Sequence, residues 1–149
     1  MGISKNLSPI FDLVRADGSI IINKNLMFSI GTNEAIFYME LLSKYNYFYI
    51  REKLTEDGCF YNSIDNMQLD TGLGEKPQRA VIEKLKKFGL IEYYIKCIPA
   101  KRFFKIINDT ELLLSFIAKG REKREELTKI QLQKLAVSKE RQSGGSWNS

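Results

Sequence analysis

The sequence predicts an α+β fold, and three observations along one stretch carry that prediction. A glycine-flanked turn, Gly72-Leu73-Gly74, separates two segments with helical apolar spacing. The second segment is a basic helix that stops at Phe88-Gly89-Leu90-Ile91. Two runs rich in β-branched and aromatic residues follow, Leu90 to Ile95 and Lys101 to Ile107, joined by a turn that contains Pro99. Turn, basic helix, glycine stop and hairpin is the order of a winged helix-turn-helix, a three-helix core with a β-hairpin wing. Here a further C-terminal helix follows.

Residues 1–31 read as a lead-in with short strands. Pro9 argues against a helix there, because proline inside a helix removes a donor and clashes with the preceding turn. Asp17-Gly18 marks a turn. Ser19 to Ile30 alternates β-branched and polar residues around Asn23-Lys24-Asn25, the pattern of one or two short strands. The winged-helix domain is expected over 32–107. Thr32 or Asn33 is a favourable N-cap, and Glu34 lies in the first turn, where a negative charge suits the helix dipole. Ile36, Phe37, Met39, Leu41 and Leu42 predict a core helix from about Asn33 to Lys44. Tyr45-Asn46-Tyr47-Phe48-Tyr49 is compatible with more helix or with a strand. Glu56-Asp57-Gly58 is a turn, and Cys59-Phe60-Tyr61 a short extended segment.

Ser63 caps the next helix, with Ile64, Met67 and Leu69 as its apolar side. Gly72 supplies the left-handed residue after it, Leu73 is the expected buried turn residue, and Gly74 leads into the second helix. Pro77 sits in that helix's first turn, where its missing N–H costs nothing. Val81, Ile82, Leu85 and Phe88 form the inner face. A helix over 75–88 would be about 21 Å long, suited to lying across a major groove. Lys96 to Ala100 make the wing. Asn108 or Asp109 caps a charged helix placed at 108–137, on which Leu112, Leu113, Phe116 and Ile117 pack on the domain. Leu127, Ile130, Leu132, Leu135 and Val137 hold no clean heptad. Residues 138–149, with Ser143-Gly144-Gly145-Ser146, read as a flexible tail.

Composition removes most chemistry. The chain has 149 residues with 44% hydrophobic and 28% charged side chains, which suits one globular core. No apolar run approaches a membrane span, and no signal-peptide layout opens the chain, so a cytoplasmic protein without membrane association is expected. Histidine is absent, which removes the commonest general base and metal ligand. Cys59 and Cys97 are the only cysteines, too few for a four-ligand zinc site without carboxylates, and no local spacing suggests one. Buried thiols rather than a disulfide are the expectation. No phosphate loop or nucleophile elbow appears. Asp65 and Asp70 lie five apart and do not share a helix face. The expectation is therefore a protein that is not an enzyme and carries no cofactor or metal.

The net charge of +5 is unevenly placed. Residues 1–74 carry −3, residues 75–105 carry +6, residues 106–118 carry −2 and residues 119–149 carry +4. Positive charge thus collects on the helix-and-hairpin stretch and on the tail, the footprint of a polyanionic partner. Double-stranded DNA is the partner that the pattern suggests. On the second helix, Lys76, Gln78, Arg79, Ala80, Glu83, Lys86 and Lys87 avoid the inner face. Arg79 suits a guanine edge and Gln78 an adenine edge, both by bidentate hydrogen bonds. Lys76 suits phosphate as a point charge, and Lys86 and Lys87 suit backbone or water. In the wing, Lys96, Lys101 and Arg102 suit adjacent phosphates or a minor groove, the alternative being lysine protection of a sheet edge. Ser63, Asn66 and Thr71 are phosphate candidates from the first helix, with capping and turn chemistry as the competing role. Cys97 beside the wing reads as a quiet, partly buried thiol.

Phe60-Tyr61-Asn62-Ser63-Ile64, Thr71-Gly72-Leu73, Ala80 to Leu85, Gly89-Leu90-Ile91 and Pro99-Ala100-Lys101-Arg102-Phe103-Phe104-Lys105-Ile106 resemble the winged-helix domains of bacterial phage and plasmid replication proteins, of the replisome-organiser and plasmid-initiator types. The likeness covers about Thr32 to Ile107. It implies sequence-specific duplex binding in replication or transcription control, and the short segment after the wing fits a small mobile-element regulator. The competing class is an adaptor whose winged helix docks a host replication or transcription protein. A homodimer through the C-terminal helix is expected as well.

Overall fold

The computed structural model describes residues 7–144, with side chains described as far as Gln142. Nine elements follow in order: α1 (Ser8–Arg15), α2 (Lys24–Ile30), α3 (Thr32–Ile50), β1 (Phe60–Tyr61), α4 (Ile64–Thr71), α5 (Glu75–Lys87), β2 (Ile91–Lys96), β3 (Lys101–Ile106) and α6 (Thr110–Gly144). They form two compact units that interleave in sequence. Asn33–Asn108, with residues up to Ile22, make one unit, and Asn23–Thr32 with Asp109 onward make the other.

The first unit contains the winged helix. Ser63 caps α4 by accepting from the Asn66 N–H at 3.1 Å. Gly72 ends it in the left-handed region at φ 76, where glycine has no Cβ to strain. Gly74 is the N-cap of α5. The three strands pair antiparallel in the order β1-β3-β2. Register places Phe60 opposite Phe104, Tyr61 opposite Phe103, and Tyr94 opposite Phe103 on its other side. Phe37, Leu41, Phe60, Met67, Val81, Leu85, Ile91 and Phe104 are fully or almost fully buried. Phe104 is the hub: its ring lies 6.0 Å from Phe37, 6.1 Å from Phe60 and 5.3 Å from Tyr93.

The aromatic run after Lys44 continues α3 to Ile50. Tyr45 and Phe48, three apart on one face, both reach the Phe60 ring, at 6.4 and 5.9 Å. Tertiary packing therefore settles a stretch that is locally ambiguous. Leu69, expected on the apolar side of α4, is 85% exposed, and Met67 is the buried residue of that helix. Leu73 is half-buried rather than fully buried. Pro9 does not prevent a helix: it lies at the start of α1, where no intrahelical N–H is needed.

The second unit corrects the reading of Ser19 to Ile30 as strands. Lys24–Ile30 is a helix, and Ser19–Asn23 has no regular structure. The Asn23 side chain accepts from the Leu26 N–H at 2.9 Å, which caps α2. Leu26 and Ile30, four apart, give it a buried face, and Gly31 closes it at φ 110. α6 begins where Asp109 accepts from the Leu112 N–H. It runs through Gly144, beyond the expected end at Val137 and through the first part of the expected tail. The rest of that tail, residues 145–149, lies outside the described residues. α2 and α6 meet closely at Gly120: a Cβ there would stand 1.6 Å from the Asn25 carbonyl oxygen. Beside this crossing, Arg124 Nη1 donates to Asn25 Oδ1 at 2.8 Å, and its guanidinium lies 5.9 Å from the centre of the Phe28 ring.

Candidate nucleic-acid interface

α5 owes its orientation to one stripe. Gln78, Val81, Ile82 and Leu85, at helical spacing, are its buried residues. The opposite side exposes Lys76, Arg79, Ala80, Glu83, Lys86 and Lys87. At 13 residues the helix is about 20 Å long. Arg79 pairs with Glu75 one turn back, and Lys86 Nζ lies 3.6 Å from Glu83. Both are exposed i,i+4 or i,i+3 pairs and are therefore weak, about 0.3–0.5 kcal/mol each, so a stronger anion can displace either carboxylate. Among the described residues no ion pair engages Lys76 or Lys87. Lys84, also exposed, lies 3.7 Å from the buried Glu34 carboxylate and ties α5 to the start of α3.

Two expected DNA contacts are corrected. Gln78 is fully buried, so it does not reach a base edge. Its Nε2 donates to the Ile64 and Leu73 carbonyls at 2.9 and 2.8 Å, clamping α4, the turn and α5 together. The signal was present in the spacing, since residue 78 falls on the stripe of 81, 82 and 85. Arg102 is 8% exposed and does not project from the wing. It shares the inner face of β3 with Phe104, two residues on, donates from Nε to the Asn62 carbonyl at 3.1 Å and lies 5.1 Å from the centre of the Phe104 ring. Burial pushes its pKa down from the ordinary arginine value.

The remaining candidates divide by availability. The Ser63 hydroxyl is engaged in its cap. Thr71 Oγ1 donates to the Met67 carbonyl at 2.6 Å and accepts from the Leu73 N–H at 3.2 Å, so turn chemistry occupies it. Asn66 is exposed. Lys96 and Lys101 face each other across the mouth of the hairpin and are exposed. Cys97, at the hairpin turn with φ 74, is an exposed free thiol rather than a partly buried one. Cys59 is a buried free thiol whose pKa is raised by desolvation first. Among the described residues, no cluster of three or more acidic or cysteine side chains could hold a metal ion, and no helix is long and apolar enough to cross a membrane.

The outward face of the sheet was not foreseen. Register sets Tyr94, Phe103 and Tyr61 in one row across β2, β3 and β1. The Tyr61 and Phe103 rings are 6.1 Å apart. Lys96 and Lys101 form the next row towards the wing tip, and Glu92 and Lys105 the row towards its base. Lys96 Nζ sits 5.2 Å from the Tyr94 ring and 5.4 Å from that of Phe103, and Lys101 Nζ sits 5.3 Å from that of Tyr61. Lys96 is also 3.6 Å from Asp57. The Tyr94 hydroxyl donates to Glu92, which raises the tyrosine pKa. Period-two alternation marks Tyr94 and Phe103 as outward on the two arms of one hairpin, but only the pairing of β3 with the distant β1 adds Tyr61 to their row.

No family model matches the chain, and no curated protein matches it. One solved structure, described as the N-terminal domain of a DNA binding protein, is similar in fold at a TM-score of 0.51 and 14% identity. The match covers 83% of this chain and 96% of that one.

Proposed function

We propose that the Asn33–Asn108 unit binds double-stranded DNA, with α5 in the major groove and the wing lysines on flanking phosphates. The observation that carries this reading is the division of α5 into a buried Val81-Ile82-Leu85 stripe and an opposite face of cations, Lys76, Arg79, Lys86 and Lys87, on a fold similar to a domain of a DNA binding protein. Arg79 is the base reader, Lys76, Lys86, Lys87, Lys96 and Lys101 hold phosphate, and Asn66 supports them from α4. Glu83 sits on the same face as a partner that releases Lys86. Sequence-specific recognition in phage- or plasmid-type replication or transcription control is the role that fits the motifs. A salt titration of duplex affinity tests it: four or five phosphate contacts give a log–log slope of about −4. A flat slope, or no binding at low salt, refutes the reading.

The second reading is an adaptor that docks a protein, a host replication or transcription factor or a second copy of this chain. What favours it is α6, whose distal half exposes Leu127, Ile130, Leu132, Leu135 and Val137.

A further inference from the structure

The outward face of the three-stranded sheet combines two features that a solvated sheet face does not need together. One is a row of three aromatic rings, Tyr94, Phe103 and Tyr61, in register across all three strands. Tyr94 is 39% and Tyr61 42% exposed, so ring surface is open to solvent rather than packed. The other is a pair of lysines, Lys96 and Lys101, whose ammonium groups lie over those same rings at 5.2 to 5.4 Å. Neighbouring strands are about 4.8 Å apart, so the row offers two or three ring faces in succession. Bases stack on such faces without regard to sequence, and ammonium groups beside them meet the connecting phosphates. A lysine resting on a ring is displaced by a base at little cost, because an exposed cation–π contact is weak, and it then swings to the strand's backbone. Carboxylates border the row without occupying it: Glu92 accepts from the Tyr94 hydroxyl, and Asp57 lies beside Lys96.

From this juxtaposition we propose that the outward sheet face is a second nucleic-acid site, a stacking platform for two or three nucleotides of single-stranded DNA. Charge complementarity and open ring faces select an unpaired polynucleotide over an apolar protein segment. The choice of DNA over RNA rests on the duplex reading above. Lys96 and Lys101 are shared between the two readings, so the unit holds duplex through α5 and an unpaired strand on the rings, with these lysines on the phosphates at the junction, as at the edge of an opened helix.

The test is fluorescence anisotropy of the full chain with labelled oligo(dT) and, separately, with duplex DNA. Tyr61→Ala and Tyr94→Ala should each weaken oligo(dT) binding about 5- to 100-fold while duplex affinity is unchanged, and Tyr94→Phe should restore it. Thermal melts by circular dichroism confirm that these exposed positions leave the fold intact. Absence of oligo(dT) binding by the unaltered chain, or undiminished binding by the Tyr61→Ala/Tyr94→Ala double variant, overturns the proposal. Equal loss of duplex binding in these variants also overturns it, since the site would then not be separate. Tighter binding of oligo(U) overturns the assignment to DNA. Ring-dependent oligo(dT) binding without any duplex binding leaves this site standing and removes the reading of α5.

Discussion

Gln78 and Arg79 are neighbours on α5 with opposite fates. Gln78 lies on the buried stripe and donates to two carbonyls, Ile64 from α4 and Leu73 from the turn. Arg79 is turned about 100° further round the helix and, among the described residues, is held only by the exposed Glu75. Their substitutions should separate accordingly. Gln78→Ala removes both of these hydrogen bonds from a buried position and should cost about 1–3 kcal/mol in urea denaturation, with base preference retained. Arg79→Ala should leave the denaturation midpoint in place and relax preference at one position of a site selected from random DNA. The reverse pattern would return Gln78 to the role that its residue type suggests.

At the scale of elements, what was legible depended on whether the signal was local. The α4–turn–α5 segment was readable because Ser63, Gly72 and Gly74 act within a few residues of themselves. The hairpin was readable from two β-type runs either side of Pro99. α2 was not, because Ile20-Ile21-Ile22 and Asn23-Lys24-Asn25 look like strand and turn, while its true determinants are the Asn23 cap and a partner nearly a hundred residues away. Burial of Gln78 and Arg102 was present in the spacing, but a polar residue type drew the expectation outward. The aromatic row was legible only as far as the hairpin, since Tyr61 joins Tyr94 and Phe103 through the distant strand β1. The α2–α6 crossing gives this scale its prediction. Gly120→Ala places a methyl carbon against the Asn25 backbone, which cannot yield as a side-chain tip can. It should destabilise the second unit by about 1–3 kcal/mol or more. Hydrogen exchange should then show the Leu26–Ile30 amides losing protection; unchanged protection would mean that the two helices separate at no cost.

At the scale of the whole molecule, the interleaving matters for experiments. Residues 1–31 do not form one lead-in followed by a domain, since Asn23–Thr32 belongs with α6. Shortening the chain near Lys119 would remove Gly120 and Arg124, so it would strip α2 of this crossing as well as removing the exposed apolar side chains of distal α6. Substitution is the cleaner test of self-association. Leu127, Ile130 and Val137 share roughly one face of α6 and are partly exposed. If this face joins two copies, changing all three to glutamine should halve the mass seen by light scattering without altering helicity. An unchanged mass assigns the face to another partner or to none.

The bond between Arg124 and Asn25 spans 99 positions of the chain. During synthesis, α2 leaves the ribosome when most of the chain is still to be made, and everything needed for the winged helix, through Asn108, emerges before the first turn of α6. Domains tend to complete as they appear, and contacts of large sequence separation form last. The winged-helix unit should therefore be finished while Leu26 and Ile30 still lack the helix that covers them. For that interval the nascent protein carries a short segment whose apolar side, Leu26 and Ile30, waits uncovered for α6.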